Sequence, residues 1–237
     1  MSSFAIQAGF NNDGFQNLGF ATALLPALNE IYEDEEARNE AFRRHLEFFS
    51  AHPYLTTFSI GAVIKAEEER AEGLPNAMSD AEITRFKQAS GNVLGSLGDM
   101  FFWAGMLPLA SITGLIVFLL APLYGALALL VFYNIPHLLI RADGIRMGYE
   151  SGPGMLPGIG GKWAAIAVLW VKRAGAVALG MLIPHAVAHP ETPGIIEASL
   201  LISFTAAVAW TISRRWNRPV LLMLGLVIGV ALYCVLL

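Results

Sequence analysis

The sequence predicts an all-α, polytopic membrane protein, and three observations carry that reading. Only 14% of the 237 residues are charged, against about 25% in a soluble domain. Residues 100–140 contain no Asp, Glu, Lys or Arg. At about 1.5 Å per residue that run makes roughly 60 Å of helix, twice a ~30 Å hydrocarbon core. Further charge-free stretches cover 174–190, 198–213 and 219–237. Read as two spans, or one span with a re-entrant piece, the 100–140 run brings the total to about five transmembrane helices.

The N-terminal part is less uniform. Residues 15–28 are apolar but interrupted by Pro26, and 48–64 are apolar but interrupted by Pro53 and Gly61. Both are too short and too broken for plain spans. They suit re-entrant or discontinuous elements of the kind found near transporter substrate sites, or interfacial and core helices. Between them, EIYEDEEARNEAFRRHLEFF spaces Ile31, Ala37, Phe42, Leu46 and Phe49 along one stripe, with acids early and Arg43 and Arg44 late. That order favours an amphipathic helix aligned with its own dipole. The division expected is an amphipathic and re-entrant region over 1–99 and a transmembrane region over 100–237, within one membrane domain.

All 15 Lys and Arg fall at 38–44, 65–87, 141–173 and 214–218. Basic loops prefer the cytoplasmic face, so 65–98, 141–173 and 214–218 are expected inside. The turn at 119–124 and HPETPGI at 189–195 are then outside, and the C-terminus follows the last span out. The segment MSSFAIQAGFNNDG has no basic n-region and no sustained apolar core, so no cleavable signal peptide is expected. A single cysteine, Cys234, rules out a disulfide framework or a Cys-based metal site. No P-loop, GxSxG or HExxH is present. His185 and His189 have only Glu191 as a further ligand, and nothing calls for a metal or cofactor.

Four blocks, FQNLGFATALLPAL, EARNEAFRRHLEFFSAHPYL, NVLGSLGDMFFW and RADGIRMGYESG, resemble in order and spacing the IID subunit of the mannose/fructose/sorbose family of the phosphoenolpyruvate-dependent sugar phosphotransferase system. The resemblance covers nearly the whole chain, and RRWNRP fits the basic turn before that family's last span. It implies a transport subunit of the cytoplasmic membrane that works with a IIC subunit. Together they would carry a hexose inward for phosphorylation by IIB, itself charged through IIA and HPr, with no catalytic residue on IID. The chain departs from the family pattern at Met100, where proline is usual. It departs again at Asn92, Val93 and Ser96, where glycine and proline are common, and at Phe58. Met and Phe restore a backbone N–H, and Val93 is stiff at χ1, so a regular local backbone is expected. A non-transporting scaffold or regulatory homologue that keeps the fold is the alternative.

The candidate sugar-binding residues are Asp99, Trp103, His52, Asn11 and Gln7. Asp99, at the mouth of the long apolar run, can accept from sugar hydroxyls or cap a helix starting near Phe101. It is expected at the tip of a re-entrant or broken element, with Gly91, Gly95 and Gly98 letting a ligand or facing helix approach. Trp103, four residues on, can stack on a pyranose or serve as an ordinary core or interfacial ring. His52 can hydrogen-bond a hydroxyl or simply be a satisfied neutral histidine. Asn11 and Gln7 match polar positions of the family's N-terminal block, and amides both donate and accept. Asn134 and His137 read as polar glue between helices, and His45 with Glu47 as helix surface.

Overall fold

The computed structural model describes residues 6–159 and 161–188, and among these the chain is helical with no strand, only isolated bridges at Asn11–Phe15 and Phe15–Phe49. Two compact units divide it, 1–176 and 177–237. The expected spans at 198–213 and 219–237, the turn 189–195, the basic turn 214–218, His189 and Cys234 lie outside the described residues.

Helix α1 (Asn17–Ile31) carries Pro26 inside it. Proline frees the carbonyl four residues back, and both Pro26 and Thr22 lie on the exposed face, where that carbonyl can be solvated. Phe20, Leu24 and Leu28 form the buried face. Helix α2 (Glu35–His45) is capped by Asp34, whose Oδ2 accepts from the Ala37 N–H at 2.8 Å. Its acids Glu35 and Glu36 sit in the first turn and Arg43, Arg44 and His45 in the last, as the macrodipole favours. Helix α3 (Thr56–Ala71) buries Ile60, Gly61, Ala62 and Val63. The two interrupted apolar segments thus yield helices of different kinds: α1 packs one face, whereas α3 is buried on all sides over residues 59–63, and the residues before it form loop 46–55.

Helix α4 (Asp80–Gly98) starts at a Ser79/Glu82 capping box, in which the Ser79 N–H and Oγ both donate to Glu82 Oε2 at 2.8 and 2.6 Å. It runs on without a break through a π-helical segment (Asp99–Met106) into α5 (Leu107–Leu120). The chain reverses at Ala121 and returns as α6 (Pro122–Ser151). A 3₁₀ turn (Gly152–Gly154), α7 (Met155–Ile159) and α8 (Lys162–Ala188) follow. Among the described residues, three stretches, Asp80–Leu120, Pro122–Ile159 and Lys162–Gly180, are long and apolar enough to cross a membrane. Their outer faces show Leu115, Phe118, Leu120, Leu123, Leu127 and Leu139 to the surroundings, which suits acyl chains and not water. The protein is an all-α membrane protein.

Two glycine contacts set how closely these helices pack. Gly148 of α6 lies directly on the carbonyl of Phe58 in α3, and Gly61 of α3 on the carbonyl of Ile145; a Cβ at either position would collide with backbone. Small residues at such crossings let helix backbones meet.

The polar centre of the fold is Glu67 of α3, which is fully buried. Its Oε1 accepts from Arg44 Nε at 2.9 Å and from His45 Nε2 at 2.7 Å, and its Oε2 accepts from the Tyr32 hydroxyl at 2.8 Å. Arg44 also pairs with Asp80, which in turn holds Arg70 Nε at 2.7 Å. One carboxylate therefore ties the end of α1, the end of α2 and the middle of α3, and Arg44 extends the tie to the start of α4. The expectation that His45 is helix surface is overturned, because Glu67 comes from a segment distant in sequence; Glu47 does remain exposed. Burial opposes ionisation of Glu67, yet the hydrogen bonds from His45 and Arg44, together with the Arg44 charge, outweigh it and hold the carboxyl down at about 2. Burial pushes the His45 ring below its ordinary range. The bond to Glu67 then places the ring proton on Nε2, and the buried, unpartnered Nδ1 is a bare acceptor.

Two outcomes follow for the detergent-solubilised protein. A carboxylate depressed from 4.5 to about 2 contributes on the order of 3 kcal/mol. That contribution is full above about pH 4.5 and fades as pH falls toward 2; Glu67→Gln should flatten this limb of the thermal-stability profile and lower stability by about 3–5 kcal/mol near neutrality, because Arg44 is left half-paired. Gly148→Ala should separate α3 from α6 and cost about 1–3 kcal/mol, while Gly154→Ala, with nothing within 4 Å of the added methyl, should leave melting unchanged.

Candidate functional site

Loop 46–55 places the site because it is clamped along its length. Its start is fixed by Lys87 of α4, whose fully buried ammonium donates to the carbonyls of Arg44, His45 and Glu47 at 3.2, 3.4 and 3.1 Å. Further on, Gln16 grips Ala51 from both sides, Nε2 donating to its carbonyl at 2.9 Å and Oε1 accepting from its N–H at 3.1 Å. The loop then lies directly on α4: a Cβ at Gly91 would meet the Ser50 carbonyl, and one at Gly98 would meet the His52 side chain. The glycines at 91 and 98 do serve close approach, of a facing loop.

That path delivers His52 into a set of rings. Phe102 stacks on it at 5.2 Å and 15°, Trp103 meets it at 4.8 Å, and Tyr54 stands edge-on at 4.9 Å. Tyr54 in turn lies flat on His137 of α6, at 4.0 Å and 9°, and its hydroxyl faces that of Tyr133 at 3.4 Å. Loop, π segment and spanning helix α6 therefore meet at one cluster. Phe102 is fully buried, whereas Trp103 is 52% exposed.

The π segment has a local cause. Pro108, in the first turn of α5, lacks an N–H and would crowd the carbonyl of Ala104 in a regular helix. The wider turn relieves this, with the Leu107 N–H reaching back to Phe102. Such bulges re-aim side chains within an otherwise continuous helix; here Phe102 turns inward to His52 and Trp103 outward.

Asp99 is the first residue of this segment, and its N–H bonds to the Gly95 and Ser96 carbonyls. No helix starts at Phe101, so the expected cap and the expected broken tip are both corrected: with Met100 supplying the N–H that proline lacks, the helix passes straight through. The Asp99 side chain is exposed, one turn from Trp103 on the same outward face. No hydrogen bond or ion pair reaches its carboxylate among the described residues.

Asn11 and Gln7 stand apart. The Asn11 Oδ1 accepts from the N–H groups of Asp13 and Gly14 at 3.1 and 2.7 Å, and its Nδ2 donates to the Gly9 carbonyl and Asn17 Oδ1 at 3.2 and 2.8 Å. Every valence of that amide closes the turn 9–17. Gln7 is exposed at the same turn. The structure thus unites His52 and Trp103, sets Asp99 beside them, and leaves the two amides elsewhere. Tyr54, Phe102, Tyr133 and His137 belong to the cluster although the sequence did not single them out as ligand groups. The only local sign was a polar triad, Tyr133, Asn134 and His137, inside a charge-free run.

Proton positions follow from the hydrogen bonds. Burial, with the facing His137 second, lowers His52 to about 4, so the ring is neutral at physiological pH. Its Nδ1 accepts from the Tyr54 N–H at 3.3 Å, which places the proton on Nε2. Asn134 Nδ2 donates to the Leu130 carbonyl at 2.7 Å, so Asn134 Oδ1 must accept from His137 Nε2 at 2.9 Å. The His137 proton is on Nε2, and Nδ1 is a bare acceptor.

The sequence profile of the "PTS system mannose/fructose/sorbose family IID component" matches residues 1–192. The mannose-specific EIID component of Escherichia coli (strain K12) is 30% identical over 193 residues, covering 81% of this chain and 66% of that protein; the chain thus spans just under two thirds of that relative. The fructose permease IID component of Bacillus subtilis (strain 168) is 26% identical, covering 94% of this chain and 89% of the relative. Among solved structures, the mannose transporter ManYZ in complex with microcin E492 contains a chain similar to this one, with TM-score 0.60, 26% identity and coverage of 98% and 93%. A second membrane protein gives TM-score 0.74 at the same identity and coverage. With most of its length matched and the same fold, the chain belongs to the mannose/fructose/sorbose family of phosphotransferase-system IID components.

Proposed function

We propose that this chain is a multi-pass subunit of the cytoplasmic membrane that, with a IIC subunit, translocates a hexose for phosphorylation by IIB, which receives its phosphoryl group through IIA and HPr. The observation that carries the reading is the cluster of rings and imidazoles at the start of the first charge-free run. His52 and Trp103 converge there, with Asp99 one turn away. Aromatic faces suit the C–H surface of a sugar ring, and an unpartnered carboxylate accepts well from hydroxyls. Asn11 and Gln7 enter only as supports of the turn that leads to Gln16 and its clamp on the loop.

Phosphoryl transfer falls to the soluble partner in this scheme. The rings of His45, His52 and His137 are all buried, so none of the three offers an exposed nitrogen to a phosphoryl donor. The depth of the site follows from the α5–α6 hairpin. About 20 residues of helix separate Asp99 from the turn at Ala121, and about 20 more lead back to Arg141, roughly 30 Å each way. Asp99 and Arg141 then mark one edge of the hydrocarbon layer, on the basic, cytoplasmic side.

Two measurements test this. Asp99→Asn keeps the shape and removes the charge; uptake by the reconstituted complex should fall about tenfold or more, since bonds to charged groups contribute about 1.5–3 kcal/mol, while pull-down of the IIC subunit stays intact. Unaltered uptake removes Asp99 from the site, and assembly without uptake in the wild type favours a scaffold. A cysteine placed in the 151–161 loop should react with an impermeant thiol reagent only after the cytoplasmic side is opened; labelling in intact cells would reverse the topology.

A further inference from the structure

We propose that the start of α8 holds the headgroup of an anionic phospholipid of the cytoplasmic leaflet, with Arg173 and Lys172 on its phosphate and Trp163 and Trp170 beside it. Such a site is independent of sugar transport and depends only on the placement above of Asp99 and Arg141 at the cytoplasmic edge of the hydrocarbon layer. A Cβ on Gly105 would meet the Val171 side chain, and one on Gly175 would reach Leu109, so α8 runs parallel to the π segment and α5. That register sets Ala165 level with Asp99 and puts Lys172 and Arg173 about 10 Å inside the edge. At that depth an exposed cation needs a partner or a route to the surface. Residues 151–190 contain no Asp or Glu, and no ion pair reaches Lys162, Lys172 or Arg173 among the described residues. The Arg173 guanidinium is folded back over the Trp170 ring, 5.4 Å from its centroid. It has thus turned toward the cytoplasmic edge, as a long basic side chain does to reach headgroups.

The chemistry of the outward face selects the occupant. Lys162, Ile166, Leu169, Trp170 and Arg173 recur at helical spacing on the side of α8 turned away from its packed seam, and all are exposed. Trp163 is 81% and Trp170 62% exposed; an indole joins a large apolar ring to one N–H donor, the combination enriched at the membrane–water boundary. A partner helix would need small side chains along this line to come close, and Ala164 and Gly175 lie on the seam with Val168 instead. A phosphodiester suits the guanidinium, whose paired N–H donors match two of its oxygens, and Lys172 adds a second positive charge next to it. A zwitterionic headgroup carries a cation of its own that these side chains repel. An anionic headgroup is therefore preferred.

The test uses the full chain in the complex in which it is purified, placed in nanodiscs of equal parts phosphatidylcholine and phosphatidylglycerol and released for native mass spectrometry with its tightly held lipids. The wild type should retain phosphatidylglycerol in preference. Arg173→Gln should lose one retained phosphatidylglycerol, its association constant falling about fivefold, and adding Lys172→Gln should cost about a further fivefold. Arg173→Lys keeps the charge and should keep most of the preference. Raising the salt concentration should weaken retention by the wild type. Equal retention of the two lipids by the wild type overturns the inference, as does unchanged retention in Arg173→Gln; the cations then pair with acidic side chains of a neighbouring spanning helix. If Arg173→Gln fails to assemble, the wild-type salt series decides, and retention indifferent to salt overturns the site.

Discussion

The architecture of the first compact unit depends on the ionised carboxylate of Glu67, held in a fully buried position. A charge there is tolerable only because Arg44, His45 and Tyr32 each bring a donor to it. That requirement fixes three chain segments at once, and Asp80 and Arg70 carry the constraint on to α4. The consequence for function is indirect but definite. Because Arg44 and His45 are anchored through their side chains, their carbonyls are presented to Lys87, and the loop that follows can leave α2 in one direction only. The loop that carries His52 to its rings thus starts from the segment that Glu67 and Lys87 anchor.

A second constraint comes from the bilayer. The outer faces of α5, α6 and α8 are apolar and exposed, so lipid completes what the protein core does not. The packing that holds α6 to α3 uses glycine against backbone, a contact that works without a hydrophobic driving force. Placing a cluster of imidazoles, tyrosines and a carboxylate at the edge of this layer keeps polar groups where partial desolvation strengthens their hydrogen bonds, while the exposed side of Trp103 and Asp99 stays open to a ligand or a neighbouring subunit.

The membrane class was legible in the sequence because hydrocarbon thickness imposes a length on charge-free runs, and the 100–140 run met it twice over. Helix α2 was legible in part for a similar reason: its early acids and late bases are local signals that the structure repeats. The expected apolar stripe from Ile31 to Phe49 is not its packed face, because Ile31 belongs to α1 and Phe49 to the loop, and the helix buries Ala41 and His45 instead. The family was legible because whole blocks such as NVLGSLGDMFFW keep their order. The outline of the chain was thus set by properties summed along it: where charge is missing, where Pro and Gly interrupt, and where basic residues gather.

Contacts between distant segments were a different matter, and only the tertiary structure decided them. Nothing near His45 announces Glu67, 22 residues away, so a buried network looked like helix surface. Asp99 looked like a cap because a long apolar helix was expected to start just after it, at Phe101, yet the helix runs through, since no N–H is missing until Pro108. Asn11 looked like a ligand because amides suit sugars, but its own turn consumes every hydrogen bond it can make. His137 looked like polar glue between helices, and the ring that packs on it is that of Tyr54, 83 positions earlier in the chain, which no local signal announced. Composition and period record what a segment can do alone; whether a polar atom is spent or free depends on which distant side chain folds against it.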